Sequence, residues 1–176
     1  DKVYESSSLR KGVVRQWLQD ISYVEKFWNT IAEVVLPDLA QVGKDAISAN
    51  GDWVISQPPS PTGWPSIYLG IDVIVNQETP PHLDQVSAPS LLDLVVSLGT
   101  HDAHFHISEI GTIFDYKLGT MIYLAGKVLT HSVPKWGEGE RIALAHYMKD
   151  AVQNRFGLAR PAFTQQKHLL GKFLQT

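Results

Sequence analysis

Four side chains of this 176-residue sequence have types and spacing that could do chemistry together. His82 and Asp84 stand one residue apart in PPHLDQ, and His131 and Arg141 stand ten positions apart across HSVPKWGEGER. The one-residue gap turns His82 and Asp84 to the same side of an extended segment. Two imidazoles and one carboxylate are the ligand set of a facial Fe(II) site, in which three protein ligands leave three positions for a bidentate cosubstrate and for dioxygen. A planar guanidinium beside such a site suits a carboxylate, which it grips through two parallel charge-assisted hydrogen bonds. Alone, an H-x-D among seven His and eleven Asp carries little weight, and a single histidine between apolar neighbours is more often a core residue than a ligand. The conjunction, and its order along the chain, carries the reading.

The segments that must position these residues follow from periodicity. In RIALAHYMK, alternation puts Arg141, Ala143, Ala145 and Tyr147 on one face of a strand, and Ile142, Leu144, His146 and Met148 on the other. The second face is largely apolar and suits packing under helices. The first pairs a guanidinium with two alanines, a charged floor with open space above it. The preceding strand, KVLTHSV, puts Leu129, His131 and Val133 on one face. The PKWGEGE turn is expected to fold the two strands back as an antiparallel hairpin, so that His131 and Arg141 project into one cavity.

Upstream, Val13, Val14, Trp17, Leu18 and Ile21, then Phe27, Trp28, Ile31, Val34, Val35 and Leu39, recur at helical spacing and predict two or three amphipathic helices. Pro37 can open a helix but not continue one, which places a break near Leu36. Asn50-Gly51-Asp52 is read as the end of the helical third, and WVISQPPSPTGW, Trp53 to Trp64, as a loop. Strands are expected over Ser66 to Asn76, Leu91 to Leu98, Ala103 to Ile107, Thr112 to Tyr116, Thr120 to Ala125, Lys127 to Val133 and Arg141 to Lys149. Their regular spacing and glycine-containing turns point to an all-β sandwich or barrel backed by helices. A short helix around Ala151 to Phe156 and a tail complete the chain, with no internal repeat.

Composition excludes several classes. Cysteine is absent, so disulfides, thiolate nucleophiles and Cys-based metal sites are ruled out, and any metal must sit on His, Asp or Glu. No run approaches the roughly 20 apolar residues of a membrane span, and DKVYESSSLRKG lacks a signal-peptide pattern. An intracellular location, nuclear or cytoplasmic, is the expectation. The net charge is -3, and from Asp45 to Tyr116 nine Asp and Glu occur without a single Lys or Arg. That half cannot neutralise a nucleic-acid backbone by itself.

The order H-x-D, distal His, then Arg ten residues on, in a β-rich chain with N-terminal helices, resembles the 2-oxoglutarate- and Fe(II)-dependent dioxygenases. The stretch GTMIYLAGKVLTHSVPKWGEGERIALAHYMKD resembles the TET/JBP-like branch, in particular its fungal members, and the likeness covers roughly residues 20 to 157. The resemblance implies an α+β fold: a double-stranded β-helix, or jelly-roll, core over residues 51 to 150, helical support over 1 to 50 and a helix and tail over 151 to 176, all one domain. It implies that His82, Asp84 and His131 ligate Fe(II) and that Arg141 pairs with the far carboxylate of 2-oxoglutarate. It further implies dioxygen as cosubstrate and oxidation of a pyrimidine methyl group, in 5-methylcytosine or thymine of methylated DNA or RNA, with the base extruded from its stack. Two positions depart from the pattern. Relatives often carry a basic residue where this chain has Leu83, and some carry a hydroxyl where it has Ala143. Two alternatives stand beside this reading: the same chemistry on a small molecule or a protein side chain, and a catalytically silent interaction module of the same fold.

Other features remain. In His101-Asp102-Ala103-His104-Phe105-His106, alternation turns Asp102, His104 and His106 outward and Ala103, Phe105 and Ile107 toward a core, so a solvated strand face is favoured over a second metal site. Trp53, Trp64 and Trp136 are core or loop anchors or stacking platforms, with Trp136 placed nearer the pocket rim. Asn76 either contacts a substrate or ends a strand.

Overall fold

A computed structural model describes residues 11–55 and 64–163. The expected loop lies in part, and the C-terminal tail in large part, outside the described residues, as does the side chain of Trp53. Three helices come first: α1 (Gly12–Asp20), α2 (Ser22–Val35) and α3 (Pro37–Ile55). The break falls at Leu36, whose φ of -138° and ψ of 59° are non-helical, as expected for a residue before proline. Its N–H still closes α2 on Ala32 at 2.8 Å, while its carbonyl accepts from Ala40 at 3.0 Å and starts α3. Asn50-Gly51-Asp52 does not end the helix, which runs on to Ile55. Glycine costs only about 1 kcal/mol inside a helix, and asparagine and aspartate less, too little to break one whose Leu39, Ala40 and Ala46 are buried.

Eight strands follow: β1 (Gly70–Val75), β2 (Thr79–His82), β3 (Asp93–Ser97), β4 (His104–Ile107), β5 (Thr112–Asp115), β6 (Met121–Leu124), β7 (His131–Val133) and β8 (Ile142–Tyr147), with α4 (Asp150–Phe156) after them. They form two four-stranded antiparallel sheets, one ordered β1-β8-β3-β6 and the other β2-β7-β4-β5. The helices cover the first sheet, where Trp28, Ala32, Leu39 and Ala40 pack with Leu94, Val96, Leu144 and Met148. The opposite face of that sheet presents Val95, Leu124 and Ala143 to Phe105, Ile107 and Val133 of the second sheet. All five residues of β3 are therefore buried, which explains why Leu94, Val95 and Val96 stand in succession without the alternation of a half-exposed strand. Each fully buried large apolar side chain contributes about 1.5–3 kcal/mol.

Two expectations about the strands need correction. The segment from Lys127 to Thr130 is not strand: Val128 and Leu129 fold back onto the carbonyl of Ala125 at 2.8 and 2.9 Å, leaving only His131–Val133 in the ladder. More important, β7 and β8 do not form a hairpin. β8 is paired on both sides, by β1 and β3, while β7 lies between β2 and β4 in the other sheet. The PKWGEGE segment thus crosses from one sheet to the other. Gly139 has a φ of +82°, a backbone conformation that side chains disfavour. One strand was read only as an extended segment: β2, TPPH, whose two prolines are tolerated because it is an edge.

The helix layer is fastened to the first sheet by a polar contact. Glu25 of α2 and His146 of β8, both 0% exposed, meet at 2.8 Å between carboxylate and Nε2, and the Nδ1 of His146 lies 3.2 Å from the carbonyl of Leu94. The ring of Trp28 meets that imidazole edge-on at 5.4 Å. Glu25→Ala should leave this imidazole buried without its partner and lower the unfolding free energy by roughly 3 kcal/mol, read from urea denaturation. A loss below about 1 kcal/mol, no more than a typical point substitution, would show that the pair does not fasten the layers.

Candidate metal centre

Register brings the two histidines together. His82, the last residue of β2, sits directly opposite His131, the first of β7, and their ring centroids are 4.2 Å apart. Asp84 follows two residues after His82, its N–H held by the carbonyl of Gly126 at 2.9 Å. Its carboxylate bridges the pair, with Oδ1 3.5 Å from His82 Nε2 and Oδ2 3.7 Å from His131 Nε2. One ligand atom from each of the three residues fits within 4.8 Å. Among the described residues this is the one group of three or more His, Asp or Glu with that spacing.

The donor atoms are prepared for a cation. His82 Nδ1 lies 2.9 Å from the carbonyl of Pro80, and His131 Nδ1 lies 3.0 Å from that of Leu129. A carbonyl can only accept, so each contact puts the ring proton on Nδ1 and leaves the Nε2 lone pair for a ligand role. Burial further holds the His131 imidazole toward its neutral form. Phe105 stacks on His131 with ring centroids 5.7 Å apart and planes 8° apart, giving this side of the centre an apolar wall. Two imidazoles and a carboxylate on one face fit a divalent iron.

Behind Asp84 lies a second carboxyl that sequence reading did not single out. Asp93, buried at the start of β3, takes a 2.8 Å hydrogen bond from the Ser87 hydroxyl. Burial pushes its carboxyl up to about 8, with Ser87 pulling down and Asp84 pushing up. Gly126 lies against both acids: a Cβ there would stand 1.9 Å from Asp84 Oδ2 and 2.9 Å from Asp93 Oδ2. Nothing local marks these residues, because their roles come from contacts across sequence gaps of 33 and 42 positions.

Arg141 reaches the same region from the first sheet. It is 1% exposed, and its Nη1 donates to the Gln77 carbonyl and, at 3.0 Å, to the Thr79 hydroxyl of β2, the strand that ends at His82. Its Nε is buried with no hydrogen-bond partner, and no carboxylate of the described residues lies within ion-pairing distance. Burial lowers the guanidinium somewhat, yet an arginine stays charged in a protein. Asn76 is a strand end with a specific task. At a φ of 50° it exchanges two bonds with the Arg141 backbone, donating its N–H at 2.8 Å and accepting on Oδ1 at 2.9 Å.

The His101–His106 segment divides. Ala103, Phe105 and Ile107 are buried and His104 is exposed, 3.5 Å from Asp115, so the solvated-face reading holds for that face. Asp102 caps the crossing segment, accepting from the N–H groups of Gly137 and Glu138 at 2.9 and 3.1 Å. His101 differs: it is buried, 3.4 Å from the Ser97 hydroxyl and 3.3 Å from the Glu140 carbonyl. Trp136 packs against the inter-sheet core and its ring centroid is 6.3 Å from that of His101; Trp64 donates to the Tyr68 carbonyl at 2.7 Å.

Two facing sheets with a His-Asp-His group at one end define the class of site, and comparison with known proteins gives the fold a neighbour. No family model matches the chain, and no curated protein matches it. Among solved structures it is similar to NgTET1 in complex with 5mC DNA, with a TM-score of 0.62 and 14% identity. The match covers 98% of this chain and 64% of that one, so this chain spans under two-thirds of the neighbour's length. At that identity the likeness is one of fold: the chain has a TET-like fold. Among the described residues no helix is long and apolar enough to cross a membrane.

The contact at Gly126 yields a direct expectation. Gly126→Ala should push the Asp84 carboxylate aside and weaken binding of Fe(II), or of Mn(II) as a redox-silent substitute, about 10–100-fold in anaerobic calorimetry, with the far-ultraviolet circular dichroism unchanged. Unaltered affinity would mean that Asp84 is not a ligand.

Proposed function

We propose that this chain is an Fe(II)- and 2-oxoglutarate-dependent dioxygenase of the TET/JBP-like kind, a single unit with a double-stranded β-helix core, that oxidises the methyl group of 5-methylcytosine or thymine in nucleic acid. The observation that carries the reading is the convergence of His82, Asp84 and His131 within 4.8 Å, with the buried, carboxylate-free Arg141 bonded to the strand that bears His82. In this reading those three residues hold the iron and Arg141 holds the far carboxylate of 2-oxoglutarate. Bound iron and 2-oxoglutarate supply oxidative chemistry: dioxygen gives one oxygen atom to the methyl group and the other to succinate, with loss of carbon dioxide. The chain does the rest. The carbonyls of Pro80 and Leu129 fix both rings, Phe105 keeps water from one side, and Arg141 sets the orientation of the cosubstrate.

Support for a nucleic-acid substrate comes from the neighbouring fold, solved with 5mC DNA, and from the wording of residues 119 to 150, which also favours a fungal-type member. A second reading, the same chemistry on a small molecule or a protein side chain, is favoured by the absence of Lys and Arg from Asp45 to Tyr116 and by the half-exposed Leu83 between two of the ligands.

Incubation with Fe(II), 2-oxoglutarate and DNA containing 5-methylcytosine is expected to give 5-hydroxymethylcytosine and succinate, both read by mass spectrometry. His131→Ala should abolish both products along with iron binding. Succinate formed with peptides or small molecules, and never with DNA or RNA, would favour the second reading. A folded protein that binds neither iron nor 2-oxoglutarate would be a silent interaction module.

A further inference from the structure

Helix α2 buries one stripe of side chains and leaves a second, largely apolar stripe bare. Glu25, Trp28 and Ala32 are the buried ones: Glu25 meets His146, and Trp28 and Ala32 pack on the first sheet. The bare stripe is Tyr23, Phe27, Thr30 and Val34. Tyr23, Phe27 and Val34 are 83%, 57% and 76% exposed, and Thr30 is exposed too. Alternating steps of four and three residues keep side chains in one line along a helix, the spacing with which two helices interlock. A lone apolar residue on a surface needs no explanation, but an ordered line of them does.

The two flanks of this stripe differ in chemistry. On one side stand Val24, exposed, and Ile31, partly so; on the other stand Lys26 and Glu33, both exposed. Lys26 and Glu33 are seven residues apart and so occupy the same position around the helix. When two copies of a helix pack antiparallel, positions on the same flank meet, which sets Lys26 of each copy beside the partner's Glu33. A parallel pairing would set Lys26 against the partner's Ile31. Glu33 already meets Lys44 of its own chain at 2.8 Å, whereas among the described residues Lys26 has no ion pair. The line is complementary to itself in size as well: antiparallel packing puts Tyr23 on the partner's Val34 and Phe27 on the partner's Thr30, large against small. The open parts of Tyr23, Val24, Phe27 and Val34 amount to roughly 500 Å² of apolar surface, against about 800 Å² per partner in a standard interface. With its flanks, the face is large enough for a weak, reversible dimer.

We propose that α2 is a self-association surface: two copies of this chain pair through it, antiparallel, with a two-fold axis near Asn29. Burial of the aromatic and valine side chains drives the association, and the exchange of Lys26 and Glu33 between copies sets its direction. The pairing involves neither the metal centre nor the substrate, so its fate is separate from that of the dioxygenase reading.

Sedimentation velocity of the full chain over about 5–200 µM should show its mass rising from one chain to two. Val34→Glu alters an exposed side chain and so keeps the fold, as far-ultraviolet circular dichroism will show. It enters the two-fold interface twice, and should weaken the dimer by at least about 30-fold. The orientation has its own readout. The chain has no cysteine, so one introduced residue can form a disulfide only between copies. Thr30→Cys lies near the axis, its two copies offset by about 3–5 Å along the helices, and should cross-link under mild oxidation. Tyr23→Cys is offset by about 16–18 Å, beyond a disulfide's reach of about 7 Å between Cα atoms, and should not. A one-chain mass at every concentration would overturn the proposal and leave the face to a different partner. A dimer that Val34→Glu leaves intact would overturn it by placing the interface elsewhere. Cross-linking through Tyr23→Cys but not Thr30→Cys would overturn the antiparallel pairing.

Discussion

The register between β2 and β7 is the constraint on which the site depends. His82 stands opposite His131 because these two short strands pair where they do, and Asp84 is placed by continuing from β2 into a loop pinned at Gly126. Side chains alternate with period two, so a slip of one residue would turn one imidazole to the opposite face of the sheet and destroy the group. A ladder this short cannot hold its register alone. β7 is supported on its other side by β4, with Ile107 opposite His131, and the Glu109 carboxylate clamps the hydroxyl and N–H of Thr130 at 2.5 and 2.8 Å, just before His131. The prolines of β2 restrict its backbone further, and an edge position makes their missing N–H groups harmless.

The second constraint is electrostatic. A guanidinium that is 1% exposed with no carboxylate beside it is an expensive thing to bury, since water is lost and only dipoles replace it. The fold accepts that cost at one place and equips it with the Gln77 carbonyl and the Thr79 hydroxyl. By contrast, His146, a deeply buried polar residue of β8, has both ring nitrogens engaged, by Glu25 and the Leu94 carbonyl. β8 thus carries one polar contact toward the helices, and Arg141, just before it, makes another toward the opposite sheet. The first joins two layers, and the second leaves the Nε of Arg141 buried without a partner.

Much of this was legible in the sequence, and the parts that were not share a physical reason. The His82-x-Asp84 spacing identifies a shared side of the chain without any tertiary information, because geometry within an extended segment is local. Alternation along β8 likewise told Ala143 from Leu144, His146 and Met148, which the structure places on opposite faces of one sheet. Pairing is another matter. Two successive strands joined by a glycine-rich turn read as a hairpin, but β8 finds longer partners in β1 and β3, so β7 joins the other sheet. His131 and Arg141 therefore approach the same end of the molecule from opposite sheets, by a route that the local pattern could not reveal. Gly126 and Asp93 were invisible for a related reason: a glycine needed to make room for a distant carboxylate looks like any turn glycine.

Charge distribution illustrates the same difference between chain and space. The stretch from Asp45 to Tyr116 has no cation, which along the sequence puts His82 and Asp84 in acidic surroundings. Folding brings Lys127 there from 42 residues away, its amine donating to the Gln85 carbonyl at 3.0 Å, one residue past Asp84. A single lysine cannot supply the several phosphate contacts on which salt-dependent nucleic-acid affinity is built.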